Sequence, residues 1–276
     1  YTALNTLSLH DALPILSLAL GSTLAAQTPK FTPDRGALLD GKTIVKANIT
    51  SPIFKNYSFA AERILTKGLS LQLGIATMPK GALPFSSSFE NHIGHDVSMS
   101  SVKLQSFYVT PELRWYTGGG YGHGFYLMAY YRYQNYKLSG YTLNMDVREG
   151  ASSAEKPKPV ALDLTGDFKT NSFGFGLGAQ WLFGRNKNIV LDWNILGVHA
   201  GKGKLTLAGD YSATGLSDKE IADLQQQISE NVSDLPTIKL VGQDVNVDKA
   251  SKKVSIDNVS TPWAWLRASV SLGFRF

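Results

Sequence analysis

Eight charged residues stand at the polar positions of otherwise apolar, alternating segments: Lys46, Glu62, Glu112, Arg114, Arg132, Asp192, Arg267 and Arg275. Three acids and five bases placed this way suit ion pairs that keep one another satisfied away from water. Two carboxylates such as Glu62 and Glu112 could also do acid–base work. With arginines among them they read as ion-pair partners instead. His199 is a candidate base for a hydrolase, but a serine two residues away would be needed, and those positions are Gly197 and Gly201. His92, His95 and Asp96 form a His-x-x-His-Asp cluster that suits a divalent metal, yet no third strong ligand lies nearby. His123 sits in a glycine-rich run and reads as turn chemistry. No Cys is present, which removes disulfides, thiolate metal sites and cysteine nucleophiles together. The expectation is a chain without catalytic residues, metal or cofactor.

One further motif carries local structure. Ser217 and Glu220 match a capping box, and Ile221, Leu224 and Ile228 then share one helical face opposite Gln225, Gln226 and Glu230. A short amphipathic helix is expected near 217–231. Its stripe either packs on strands of its own loop, at Lys239–Val245 and Val254–Val259, or docks a partner protein or a surface glycan. Residues 201–260 hold seven Lys and nine acids, which speaks against capture of a polyanion there.

The elements that must position these residues are strands. From Ala264 the apolar residues fall on every second position: Leu266, Ala268, Val270, Leu272, Phe274, Phe276. The interleaved set is Trp265, Arg267, Ser269, Ser271, Gly273 and Arg275. Period 2 over some thirteen residues is a strand with one greasy and one polar face, longer than the roughly 5–6 residues usual in soluble sandwiches. A transmembrane β-strand needs about 9–11. The same pattern recurs at Val45–Ile49, Tyr57–Glu62, Leu69–Ile75, Phe107–Trp115, Phe125–Arg132, Ser172–Phe183 and Ile189–Ile195. That makes eight strands.

Their connections alternate in length. Thr66–Gly68, Thr117–Gly124 and Gly184–Lys187 are short; Pro79–Ser100, Ser139–Gly166 and Gly201–Thr261 are long. Short turns on one rim, long loops on the other and an even strand count describe an eight-stranded antiparallel up-and-down transmembrane β-barrel, all-β apart from the one loop helix. Lipid offers strand edges no partners, so such a sheet must close. Trp115, Phe125, Trp181, Phe183, Phe274 and Phe276 cluster at the short-turn rim, as an interfacial girdle would. That rim and both termini are expected in the periplasm. A ten-strand barrel would need the segments near Lys239 and Val254 to cross the bilayer, and Lys239, Asp244, Lys252, Lys253 and Asp257 disfavour it.

Composition agrees. The chain has 276 residues, 26 Gly, 12 Tyr and 13 Phe, and only 18% charged residues. A net charge of +5 without basic runs makes nucleic acid a poor partner. No stretch approaches the ~20 apolar residues of a spanning helix. Leu16–Ala26 resembles the apolar core and cleavage end of a secretory signal peptide. Ser8–Ile15 resembles translated sequencing-adapter read-through. Residues 1–26 are therefore set aside as an artefactual start plus signal remnant, and 27–276 as one barrel domain, with 201–260 as its long outer loop.

The final Phe276, with Phe274, Leu272 and Val270 before it, resembles the carboxyl-terminal assembly signal of Gram-negative outer-membrane barrels. More loosely, Ile44–Ala76 and the strand rhythm resemble small OmpA-type eight-stranded barrel families of unknown function. The resemblance implies an outer-membrane location, contacts with outer-membrane lipids and the barrel assembly machinery, and no catalytic residues. A non-enzymatic structural or surface-binding barrel is the leading expectation. A narrow channel or small-solute carrier comes second. A lipid-modifying enzyme comes last, with His199 on the lipid-facing side of its strand.

Overall fold

A computed structural model describes residues 40–82, 102–149, 156–233 and 244–276. Residues 1–39, and with them the adapter-like and signal-like segments, lie outside the described residues, as do His92, His95 and Asp96.

Among the described residues nine strands follow in chain order: β1 (Thr43–Asn48), β2 (Tyr57–Ile64), β3 (Leu69–Ala82), β4 (Lys103–Tyr116), β5 (Gly124–Val147), β6 (Lys158–Phe183), β7 (Ile189–Tyr211), β8 (Asp244–Asp248) and β9 (Lys253–Arg275). A helix α1 (Asp218–Ser233) precedes β8, and a 3-10 turn at Ser51–Phe54 joins β1 to β2. From β1 to β7 each strand pairs antiparallel with the next, β7 pairs with β9, and β9 pairs with β1, so eight strands close into a ring. β8 lies outside that ring. Its five residues pair only with the upper end of β9, from Asp244 opposite Asp257 to Asp248 opposite Lys253. The eight-strand expectation holds and the ten-strand one does not.

The wall is uneven. β1 and β2 have 6 and 8 residues, whereas β5, β6, β7 and β9 have 24, 26, 23 and 23. This corrects the expectation of long loops at Ser139–Gly166 and Gly201–Thr261, while most of Pro79–Ser100 lies outside the described residues. Most of Ser139–Gly166 is ladder, with Tyr141–Val147 paired to Lys158–Leu164, and Gly201–Tyr211 continues β7.

The reason shows along β6. Its even-numbered residues face inward throughout, but the chemistry inverts part-way. From Phe183 back to Phe173 the outward residues are apolar, with Phe175 69% and Phe173 72% exposed, and the inward ones above Leu182 are Gln180 and glycines, followed by Ser172. From Asn171 upward the outward residues are Asn171, Lys169, Asp167 and Asp163. Beyond Thr170 the inward ones become Phe168, Gly166, Leu164, Leu162 and Val160, the last three buried. Apolar out and polar in suits a wall with lipid outside; polar out and apolar in suits a wall with water outside. The change of sign at Asn171/Phe173 leaves eleven residues below it, the length a tilted strand needs to cross a bilayer.

An apolar core lies at each end. Above the inversion, Leu224 and Ile228 of α1 pack among Met145, Val147, Val160, Leu162, Tyr211, Val254, Ile256 and Val259, with Ile221 at the margin. Glu220 accepts from the Ser217 amide at 2.7 Å and Ser217 Oγ accepts from the Glu220 amide at 3.3 Å, closing both halves of the capping box. The helix therefore spends its apolar stripe on its own strands. At the short-turn end, Ile44, Ile64, Leu182 and Val190 form an apolar floor against which Tyr121 packs. The 117–123 turn is tucked there by Tyr121 N–H donating to Lys67 O at 2.6 Å and Gln180 Nε2 to Gly122 O at 2.8 Å.

Candidate functional site

An eight-stranded barrel is just wide enough for side chains to fill. Above the apolar floor they do so as an ionic network. Lys46 of β1 spends all three ammonium protons, on Glu62 at 2.7 Å, Asp192 at 2.6 Å and Gln180 at 2.9 Å. Arg114 of β4 donates through Nε to Glu112 at 2.5 Å and through Nη1 to Asp192 at 2.7 Å, and its guanidinium lies 4.2 Å from the centroid of Tyr126. Arg267 of β9 donates to the other Glu112 oxygen at 2.5 Å. Tyr116 and Ser70 donate to Glu62 at 2.6 and 2.5 Å, and Tyr126 donates to Asp192 at 2.7 Å.

Within this network three acids meet three bases, every one of the six but Arg267 is almost wholly buried, and the group is neutral. Two of the expected eight charges stand apart. Arg275, at the short-turn rim, donates to Gly41 O at 2.5 Å. Arg132 is 8% exposed, donates through Nε to Thr110 Oγ1 at 3.1 Å and reaches no carboxylate among the described residues. Tyr116, Tyr126, Ser70 and Gln180 complete the network without having been singled out as charged candidates. The signal for Tyr126 and Gln180 was their place on the inward side of alternating strands.

The inward glycines of β6 make room for this. Tyr126, Met128 and Tyr130 of β5 stand directly opposite Gly178, Gly176 and Gly174, and a Cβ on Gly174 would lie 2.5 Å from the Tyr130 ring. The aromatic and thioether side chains of β5 thus lie flat across β6.

His199 does not face lipid. A bulge skips Ile195 and Leu196 against β9 and shifts the β6 register between Leu177 and Gly178. One extra residue reverses the alternation. Below it Asp192 and Asn194 face in; above it Leu196 and Val198 are exposed, while His199 is buried. His199 Nδ1 lies 2.9 Å from Ser172 Oγ on β6, and that hydroxyl donates to Arg132 O at 3.4 Å. The His–Ser pair therefore exists, across strands and inside the lumen. Its Nε2 has no hydrogen-bond partner among the described residues, so no carboxylate orients the ring as a nucleophile–base arrangement requires.

Among the described residues no three His, Asp or Glu side chains converge on a metal position, and no helix is long and apolar enough to cross a membrane. The terminal residues Leu272, Phe274 and Phe276 are exposed on the outer wall, with Val270 half-buried beside them. Phe274 and Phe276 meet edge-on at 5.1 Å.

No family model matches the chain. No curated protein matches its sequence. Among solved structures, the chain is similar to CarO of Acinetobacter baumannii, at 15% identity over 85% of this chain and 97% of that one, with a TM-score of 0.33. CarO2 of the same organism gives 15% identity, the same coverages and a TM-score of 0.31. Likeness this slight carries no argument about fold or function, which rest on the chain's own geometry.

Proposed function

We propose that this protein is a non-enzymatic outer-membrane barrel of a Gram-negative bacterium, with periplasmic termini and a sealed lumen, working through its tall outer extension. The observation that carries this reading is the pairing of a closed apolar-out ring with a lumen blocked twice. The floor of Ile44, Ile64, Leu182 and Val190 excludes water, and the neutral network above it fills the cross-section. A membrane wall without a pore, capped by a dry domain with a polar outer surface, is suited to binding rather than transport.

The partners proposed are outer-membrane lipids along the belt, the barrel assembly machinery at Val270, Leu272, Phe274 and Phe276, and a protein or glycan at the outer extension. Because Leu224 and Ile228 are consumed internally, recognition falls to the exposed polar side of α1, which carries Lys219, Gln226 and Glu230. Gentle extraction followed by native mass spectrometry tests this reading. A partner retained by the native chain and lost on K219E with Q226K, while the barrel stays folded, supports it. A bare monomer throughout contradicts the binding role.

A further inference from the structure

The upper lumen holds a cavity of about 290 Å³ whose floor is the network and whose wall includes Arg132, Thr110, Gln134, Asn194 and Trp265. We propose that this cavity binds a small carboxylate on an apolar body, with Arg132 as the group that receives the carboxylate.

Charge makes the first case. Asp192 is the carboxylate lining this cavity, and Lys46, Arg114 and Tyr126 already engage its oxygens. Arg132 remains as one buried positive charge without an acid among the described residues. Its guanidinium lies 4.9 Å from the centroid of Tyr108 and 5.8 Å from that of Tyr130, and its one hydrogen bond uses Nε. That leaves the terminal nitrogens, the pair that holds a carboxylate with two parallel bonds. A buried charge is costly unless a counter-charge reaches it, and a single guanidinium matches a monoanion. Asn194, 2% exposed, also lines the cavity, and both polar atoms of its amide lack a partner among the described residues.

Shape makes the second. Trp265 is 66% exposed although it belongs to the inward set of β9, and it stacks on Trp263 at 6.1 Å and 11°. It offers the apolar platform. Access lies beside it. β1 stops at Asn48 opposite Ser271, so Trp265–Ser269 of β9 have a strand partner only on the β7 side among the described residues. The cavity reaches this unpaired edge and the 3-10 turn at Phe54, at the depth of the apolar belt. A carboxylate arriving dissolved and one arriving from the outer leaflet share the same chemistry.

The test is calorimetry on the full chain in lipid nanodiscs, with benzoate, decanoate and the neutral probe benzamide. Benzoate or decanoate should bind roughly ten- to hundredfold more tightly than benzamide, the worth of a hydrogen-bonded charge. Tighter benzoate assigns the dissolved source and tighter decanoate the leaflet. R132Q should abolish the preference, R132K should keep part of it, and R185Q, in the short turn far below, should leave it intact. Because R132Q removes an unpaired charge, the variant should fold. Equal binding of benzoate and benzamide, binding of neither acid, or an R132Q chain that still prefers the acids would overturn the proposal. The benzamide comparison on the native chain decides even if R132Q does not fold.

Discussion

Arg114 on β4 and Asp192 on β7 meet across the lumen at 2.7 Å, tying together strands that are three steps apart around the wall. Lys46 donates to the same carboxylate oxygen at 2.6 Å. Removing one member of such a buried set leaves its partners charged and unmatched, at about 3–5 kcal/mol. D192A should therefore unfold at markedly lower urea than the native chain in detergent. The double change K46M with E62Q removes a cation and an anion together, and should cost less than the sum of its two single changes. An additive double variant would contradict a coupled network.

The bulge at Ile195 makes a sharper claim about β7. Val198 is 49% exposed on the outer wall and His199 is buried inside. In vesicles, V198C should react with a lipid-soluble maleimide and H199C should not. The reverse pattern would restore the unbroken alternation.

Leu224 sits in the dry core of the extension, and truncating such a side chain costs about 2–5 kcal/mol. L224A should make the extension sensitive to protease while the barrel below still migrates faster unboiled than boiled. Loss of both together would mean that extension and barrel fold as one unit.

The helix should also respond to acid. Lys158, 2.8 Å from Glu220, and the Ser217 amide hold this carboxyl below the ordinary glutamate range. A lowered folded value means that the contribution is fully present above the ordinary one and is lost as pH falls from there through the lowered folded one. Exchange protection of α1, corrected for intrinsic rates, should hold at pH 6 and decline between roughly pH 5 and 3. E220Q should flatten that decline. An unchanged profile in E220Q would remove Glu220 as its cause.

Much of this was legible in the sequence, for physical reasons. Ser172–Phe183 alternates because one side meets lipid and the other a lumen, and a period of 2 survives any change of neighbour. The outer extension keeps the same period at Val160, Leu162 and Leu164 but with its sign reversed relative to Phe173, Phe175 and Leu177, and on β5 an irregularity between Leu138 and Tyr141 turns Leu143, Met145 and Val147 inward, so an apolar-out pattern does not reveal it. The bulge left one trace, the adjacent apolar pair Ile195–Leu196 before Gly197. The isolation of Arg132 left none. Alternation tells which side a residue faces, whereas pairing depends on depth and on strands far away in the chain.

Planar-bilayer recording of the purified, folded chain tests whether the ring is sealed. A flat baseline is expected, because the floor around Ile44 and the network at Lys46 and Arg114 fill the lumen. Stable single-channel steps from the native chain, absent from a blank of the same detergent, would contradict it.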